Sequence, residues 1–246
     1  MKYDIVIPLR PEESLWDDSF ELKYLLRSIE KYFPFNRIII VTDKLPDWID
    51  NVIHVKASDT FRQNKDANLI RKLEAAIKSV SDLTETFYWS CDDHLVLRPP
   101  KPSELKPFFV SDLINEQSWW WKGVWKDGLK RTKEFLLSIG KTTFHYDVHI
   151  PQPINKNKYL NIFSGFKLEE NNRYIINTMY FNQAGLKKHQ HIGILKATIE
   201  KPINNAEDIK ALCYNRLYAG YNNNGLTPEL RSYIMKCFSD KSTFEK

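Results

Sequence analysis

The chain has 246 residues, 42% of them hydrophobic, which is enough to bury a sizeable core in one domain and excludes a disordered or fibrous protein. Its net charge of +5 is uneven: residues 1–100 hold 14 basic and 17 acidic side chains, the remainder 22 and 14, so the second half suits an anionic ligand or acceptor without naming one. Three cysteines, Cys91, Cys213 and Cys237, with no CxxC pair, argue against a disulfide framework or a zinc knuckle and point to a reducing, cytoplasmic setting.

Tyr3 to Pro8 is a short β-branched run that stops at a proline, as a buried strand does. It is too short for a signal-peptide core, and no stretch reaches the roughly eighteen apolar residues of a membrane helix, so a protein without a transmembrane segment is expected. Leu22, Leu25, Leu26 and Ile29 stand at helical spacing within Glu21 to Tyr32, and Pro34 closes that helix. Arg37 to Asp43 and Val52 to Val55 read as strands. A second helical stripe follows in Leu69, Ile70, Leu73, Ala76, Ile77 and Val80, and Phe87 to Ser90 reads as another strand.

This β-α-β-β-α-β alternation predicts a mostly parallel α/β sheet flanked by helices. Ligands bind such sheets at the carboxyl ends of the strands, where Asp43 and the run Asp92-Asp93-His94 fall. Residues 1–102 are expected to form the ligand-binding core and 103–246 an α+β elaboration of the same domain. Within the elaboration, 174–182 and 192–199 are expected as strands and 127–138, 206–218 and 227–238 as helices.

Two adjacent carboxylates at a buried strand end cannot both ionise without compensation. A divalent cation, Mg²⁺ or Mn²⁺, supplies it and also binds diphosphate, which makes Asp92 and Asp93 candidate metal ligands in a nucleotide-sugar site. The competing reading is that the pair caps a turn and that His94 is a core histidine.

Several motifs in order resemble the Stealth family of sugar-phosphate transferases. Glu21 to Tyr32, Ile38 to Asp43, Pro46-Asp-Trp-Ile49 and Phe87-Tyr-Trp-Ser-Cys-Asp-Asp93 look like its second conserved region. His149-Ile-Pro-Gln-Pro153 resembles the third, which centres on a histidine, and Leu212-Cys-Tyr-Asn215 the fourth, where Arg216 stands in place of the family's Asp. Asp4 to Arg10 matches the first only loosely. The resemblance implies a GT-A-like, Rossmann-like fold and a nucleotide-diphospho-sugar donor, with Asn215 and Arg216 near substrate.

Thr143 to Pro151 alternates so that His145, Asp147 and His149 share one face of an extended chain. His149 is a candidate general base or a third metal ligand, uses that exclude one another at one nitrogen, and Asp147 is the other base candidate. Arg10 and Arg27 are candidate diphosphate ligands. Trp119-Trp-Trp121, with Trp125 and the following lysines, suits a glycan acceptor or modified DNA, with Trp121 as a stacking surface.

These readings converge on a metal-dependent glycosyltransferase. The alternatives are a Stealth-type sugar-1-phosphate transferase and a non-catalytic glycan- or nucleic-acid-binding module.

Overall fold

The computed structural model describes residues 2–10, 19–114 and 123–246. β1 (Tyr3–Pro8) is flanked by β2 (Phe35–Thr42) and β4 (Thr86–Trp89), with β3 (Ile53–Lys56) outside β2, all parallel. β8 (Gln152–Asn155) adds an antiparallel strand beside β4, giving the order β3-β2-β1-β4-β8. The protein is therefore an α/β fold on a mostly parallel sheet.

Side-chain alternation divides the sheet's residues between two cores. Ile5, Ile7, Ile38, Ile40 and Tyr88 pack with Leu22, Leu25, Leu26 and Ile29 of α1 (Phe20–Tyr32). Val6, Ile39, Val41, Phe87 and Trp89 pack with Ile70, Leu73 and Ala76 of α2 (Lys65–Ser79). Both faces are thus covered, as near-continuous apolar strands require. Asn64 caps α2 by accepting from Ala67 N at 3.1 Å.

After β4 the chain leaves this sheet. Residues 90–93 cross to β5 (His94–Val96), which pairs antiparallel with β10 (Tyr218–Tyr221); β9 (Lys196–Ile199) lies parallel on the other side of β10. One face of this smaller sheet packs Leu95, Ala197 and Ala219 against α6 (Ala206–Cys213) and α7 (Pro228–Cys237) through Ile209, Leu230 and Ile234. Val96 and Tyr218 join the α1 core instead. The corner is fixed by Ser90 Oγ, 2.9 Å from the Nε2 of the fully buried His94.

β6 (Ser111–Asp112) and β7 (Phe144–His145) form a short antiparallel pair, and α3 (Gly123–Ser138) packs Leu129 against Leu113 and Ile175. α4 (Lys156–Phe163) follows β8 directly and packs Tyr159 and Phe163 into the α2 core. The 174–182 strand is corrected to a helix, α5 (Ile176–Gln183). Every residue from Ile176 to Asn182 is buried, Asn177, Thr178 and Asn182 included, so no solvent-facing side marks a helical period. The helix expected over 206–218 ends at Cys213, and Asn215 turns the chain at φ 57° into β10.

Candidate active site

The crossing between the two sheets carries the carboxylate pair. Asp93 Oδ2 lies 3.0 Å from His149 Nδ1, and His149 Nε2 lies 3.6 Å from Asp147 Oδ1, so the imidazole sits between two carboxylates. Only Phe144–His145 of the Thr143–Pro151 segment is laddered; Tyr146, Val148 and Ile150 pack into the cores, while the buried His145, with Asp147 and His149, lines one cavity that Val148 also borders.

His149 adopts a left-handed backbone at φ 47°, a conformation that is strained for a residue with a Cβ.

The charges of the pair diverge. Burial, with the neighbouring Asp93 charge, pushes Asp92 up to about 6. Burial would raise Asp93 as well, but the His149 charge and its hydrogen bond hold it well below the usual carboxylate range. Asp147 is held down to about 2 because His149 outweighs its burial. His149, with 45% of its side chain exposed, loses only part of its hydration in the cleft, and Asp147 and Asp93 together raise it well above an ordinary histidine.

Three cavities meet at Asp93. One of about 450 Å³ is walled by Arg10, Glu21, Lys65, Asp92, Asp93 and Asn222 to Asn224. A second, also about 450 Å³, lies on the other side, against Trp125, His145, Asp147, His149, Lys196 and Glu200. A third of about 260 Å³ runs under the pair past Lys72, Cys91 and Arg173. Asn222 Oδ1 accepts from Gly225 N at 2.9 Å, and that turn needs glycine because a Cβ there would stand 2.0 Å from Ile199 O.

Of the other sequence candidates, Arg10 reaches these cavities and lies 3.5 Å from Asp59. Asp43 stands exposed at the end of β2, accepts from Ser58 Oγ at 3.0 Å, and lines none of the three cavities. Arg27 is committed elsewhere: its guanidinium forks onto Glu245 at 2.7 Å and donates to Phe238 O, clamping the C-terminal segment to α1. Asn215 and Arg216 form the turn after α6, where Arg216 donates to Leu212 O and Ile194 O. Trp121 lies outside the described residues. Trp125 is described and stands against His145, with ring centroids 5.6 Å apart.

A divalent cation fits this donor set. Asp93 Oδ1 is buried without a hydrogen-bond partner among the described residues, and Asp92 has no cation beside it that restores an ordinary carboxylate. Cys91, Asp93 and His149 also bring ligand atoms within 4.8 Å of one another. Cys91 and Lys196 line these cavities, a placement that residue patterns had not revealed. Gly220, inside a strand, is the one sequence signal that something approaches closely there.

Comparison with known proteins adds a second line of observation. No family model matches the chain. A capsular polysaccharide phosphotransferase of Neisseria meningitidis serogroup B is 32% identical over 91 residues, which make up 34% of this chain and 24% of that protein. An exopolysaccharide phosphotransferase of Nocardia farcinica (strain IFM 10152) is 36% identical over 90 residues, 34% of this chain and 18% of that protein. This chain is similar to polysaccharide phosphotransferases.

The match thus takes in less than a quarter of each curated relative's length. Among solved structures, an active-site mutant of LgtC aligns at a TM-score of 0.48 with 9% identity over 98% of both chains. The galactosyltransferase LgtC with donor and acceptor sugar analogs aligns at 0.46 with 10% identity over 98% of both. The apo glycosyltransferase GlyE of Streptococcus pneumoniae TIGR4 aligns at 0.46 with 11% identity, over 98% of this chain and 61% of that one.

Proposed function

We propose that the protein is a metal-dependent transferase that takes its group from a nucleotide-diphospho-sugar and places it on a glycan hydroxyl. The observation that carries this reading is the Asp93–His149–Asp147 arrangement at the junction of three cavities, one flanked by Arg10 and Lys65 and another by Trp125 and His145. The first suits an anionic donor and the second a sugar acceptor. The relatives are named for polysaccharides, which favours a glycan over DNA as acceptor.

His149 takes the proton of the acceptor hydroxyl, and Asp93 and Asp147 stabilise the imidazolium that results. Asp92 and Asp93 would hold Mg²⁺ or Mn²⁺, which when bound supplies positive charge to the departing nucleotide. Arg10 and Lys65 add charge on the donor side, and Glu21 and Asn222 to Asn224 offer polar contacts to the nucleotide. Cytoplasmic residence fits a nucleotide-sugar donor, and no helix among the described residues is long and apolar enough to cross a membrane.

Two bonds of the donor are open to attack. Sugar transfer forms a bond from the acceptor oxygen to the anomeric carbon and releases the nucleoside diphosphate. Sugar-1-phosphate transfer forms a bond from the acceptor oxygen to phosphorus and releases the monophosphate. The names of both curated relatives favour the second as the alternative reading.

The deciding experiment is a Mn²⁺-dependent thermal-shift screen against UDP-, GDP-, CDP- and ADP-linked sugars, with mass analysis of the spent nucleotide from each hit. Diphosphate identifies sugar transfer and monophosphate identifies sugar-phosphate transfer. A donor-induced shift with no turnover on any glycan acceptor replaces the enzyme with a binding module.

A further inference from the structure

Lys196 opens β9 and is partly buried between that strand and the segment before β8. Its side chain runs across β10 over Gly220: a Cβ on residue 220 would stand 2.6 Å from Lys196 Cε and 2.9 Å from Nζ. Beyond the glycine, Nζ donates to Val148 O at 2.6 Å. Gly220 has no positive φ to demand glycine, so the passage of the lysine is what the missing side chain serves.

Val148 O belongs to the peptide plane that leads into His149. The torsion φ of His149 is the rotation between that plane and its own Cα, and it sits at 47°. On the far side Ile150 is anchored in the α1 core, 3% exposed. Val148 and Ile150 are both packed in that core, and the hydrogen bond from a charged donor adds a hold on the peptide plane between Val148 and His149, a fixed frame in which the left-handed conformation persists.

We propose that Lys196, passing over Gly220, is a positioning residue that fixes the left-handed backbone of His149 and so aims its imidazole between Asp93 and Asp147. Burial pushes the Lys196 ammonium below an ordinary lysine, and the Asp93 and Asp147 charges oppose that effect. The proposal rests on His149 being the base only for its kinetic consequence; the backbone geometry is tested without any turnover.

The test compares wild type with Lys196→Met, which keeps the stem and loses the donor, and with Gly220→Ala, which keeps the charge and displaces the stem. In Gly220→Ala the atoms nearest the added Cβ are the movable end of Lys196 and, at 3.8 Å, His149 O, so this variant carries the test if Lys196→Met does not fold.

The first readout is the intraresidue amide-to-Hα nuclear Overhauser effect of His149, strong at positive φ and weak in extended backbone. Both variants are expected to lose the strong signal; its retention in the folded variants overturns the proposal.

The second readout is kinetic, on the donor identified in the thermal-shift screen. A misaimed base lowers kcat by about 10²-fold with KM little changed. A raised KM with unchanged kcat would make Lys196 a substrate anchor and overturn the positioning role. If wild type turns over no donor, the proposed function fails while the nuclear Overhauser result still decides the geometry.

Discussion

Asp93 and His149, 56 positions apart in the chain, meet at 3.0 Å because β4 delivers the first to a crossing between two sheets and the segment before β8 delivers the second beside it. The contact couples the carboxylate pair to His149, the base in the proposed function. It also leaves Asp92 the less compensated of the two acids.

Asp92 has a folded pKa of about 6 against an ordinary 3.8. Between those values the folded chain holds the proton more tightly than the unfolded one, so stability falls as pH rises through that window, by up to about 3 kcal/mol. Asp92→Asn removes the burden. Without metal it is expected to be more stable than wild type by about 1–3 kcal/mol at neutral pH, with the gain vanishing near pH 4. Urea unfolding at the two pH values measures this, and the same variant is expected to bind Mn²⁺ more weakly by calorimetry.

His149 must be neutral to accept a proton, and its two carboxylate neighbours raise its pKa. The kcat profile should therefore climb as pH rises through a value above that of an ordinary histidine. Asp147 is the stronger of the two charges raising it, so Asp147→Asn is expected to move that limb down by about one unit. A limb that stays in place would separate Asp147 from the titration.

Cys91 adds a sulfur to the nitrogen and oxygen of His149 and Asp93. Thiolate and imidazole donors favour Zn²⁺ over Mg²⁺, and a zinc bound there occupies the base. Zinc is expected to inhibit Mn²⁺-supported turnover, with Cys91→Ser raising the inhibitory concentration about 10- to 100-fold. Equal sensitivity of wild type and variant would dismiss the sulfur as a ligand.

Arg27 and Glu245 form a two-pronged pair whose side chains are 10% and 5% exposed. Removing one partner strands the other, so Arg27→Ala is expected to destabilise the fold by about 3–5 kcal/mol. Calorimetric affinity for the Mn²⁺–nucleotide should stay unchanged, which distinguishes a clamp on the C-terminal segment from a diphosphate ligand.

The parallel sheet was legible because its strands are uninterrupted β-branched runs, such as Ile38 to Val41, and its helices carry clean stripes, such as Leu22 to Ile29. α5 was not, because burial on every side erases the period that separates helix from strand. β10 escaped because its four residues follow a helical pattern without a proline or a charge run between them.

The acidic pair, Asp147 and His149 were visible as polar groups set within apolar sequence. Arg27 was visible too, but a guanidinium's partner 218 positions away is set by tertiary packing. Lys196 is one lysine among many until Gly220 shows what lies over it.

The crossing from Trp89 to His94 has one more consequence. The acids stand where the two sheets join, while Trp125, His145, Asp147, His149, Lys196 and Glu200 all come from the second half of the chain. In the proposed function, the acids that would hold the metal and most of the side chains that would meet the acceptor therefore come from different stretches of sequence. On that reading, acceptor preference can drift through Trp125, His145 and Glu200 while Asp92, Asp93, Asp147 and His149 stay fixed.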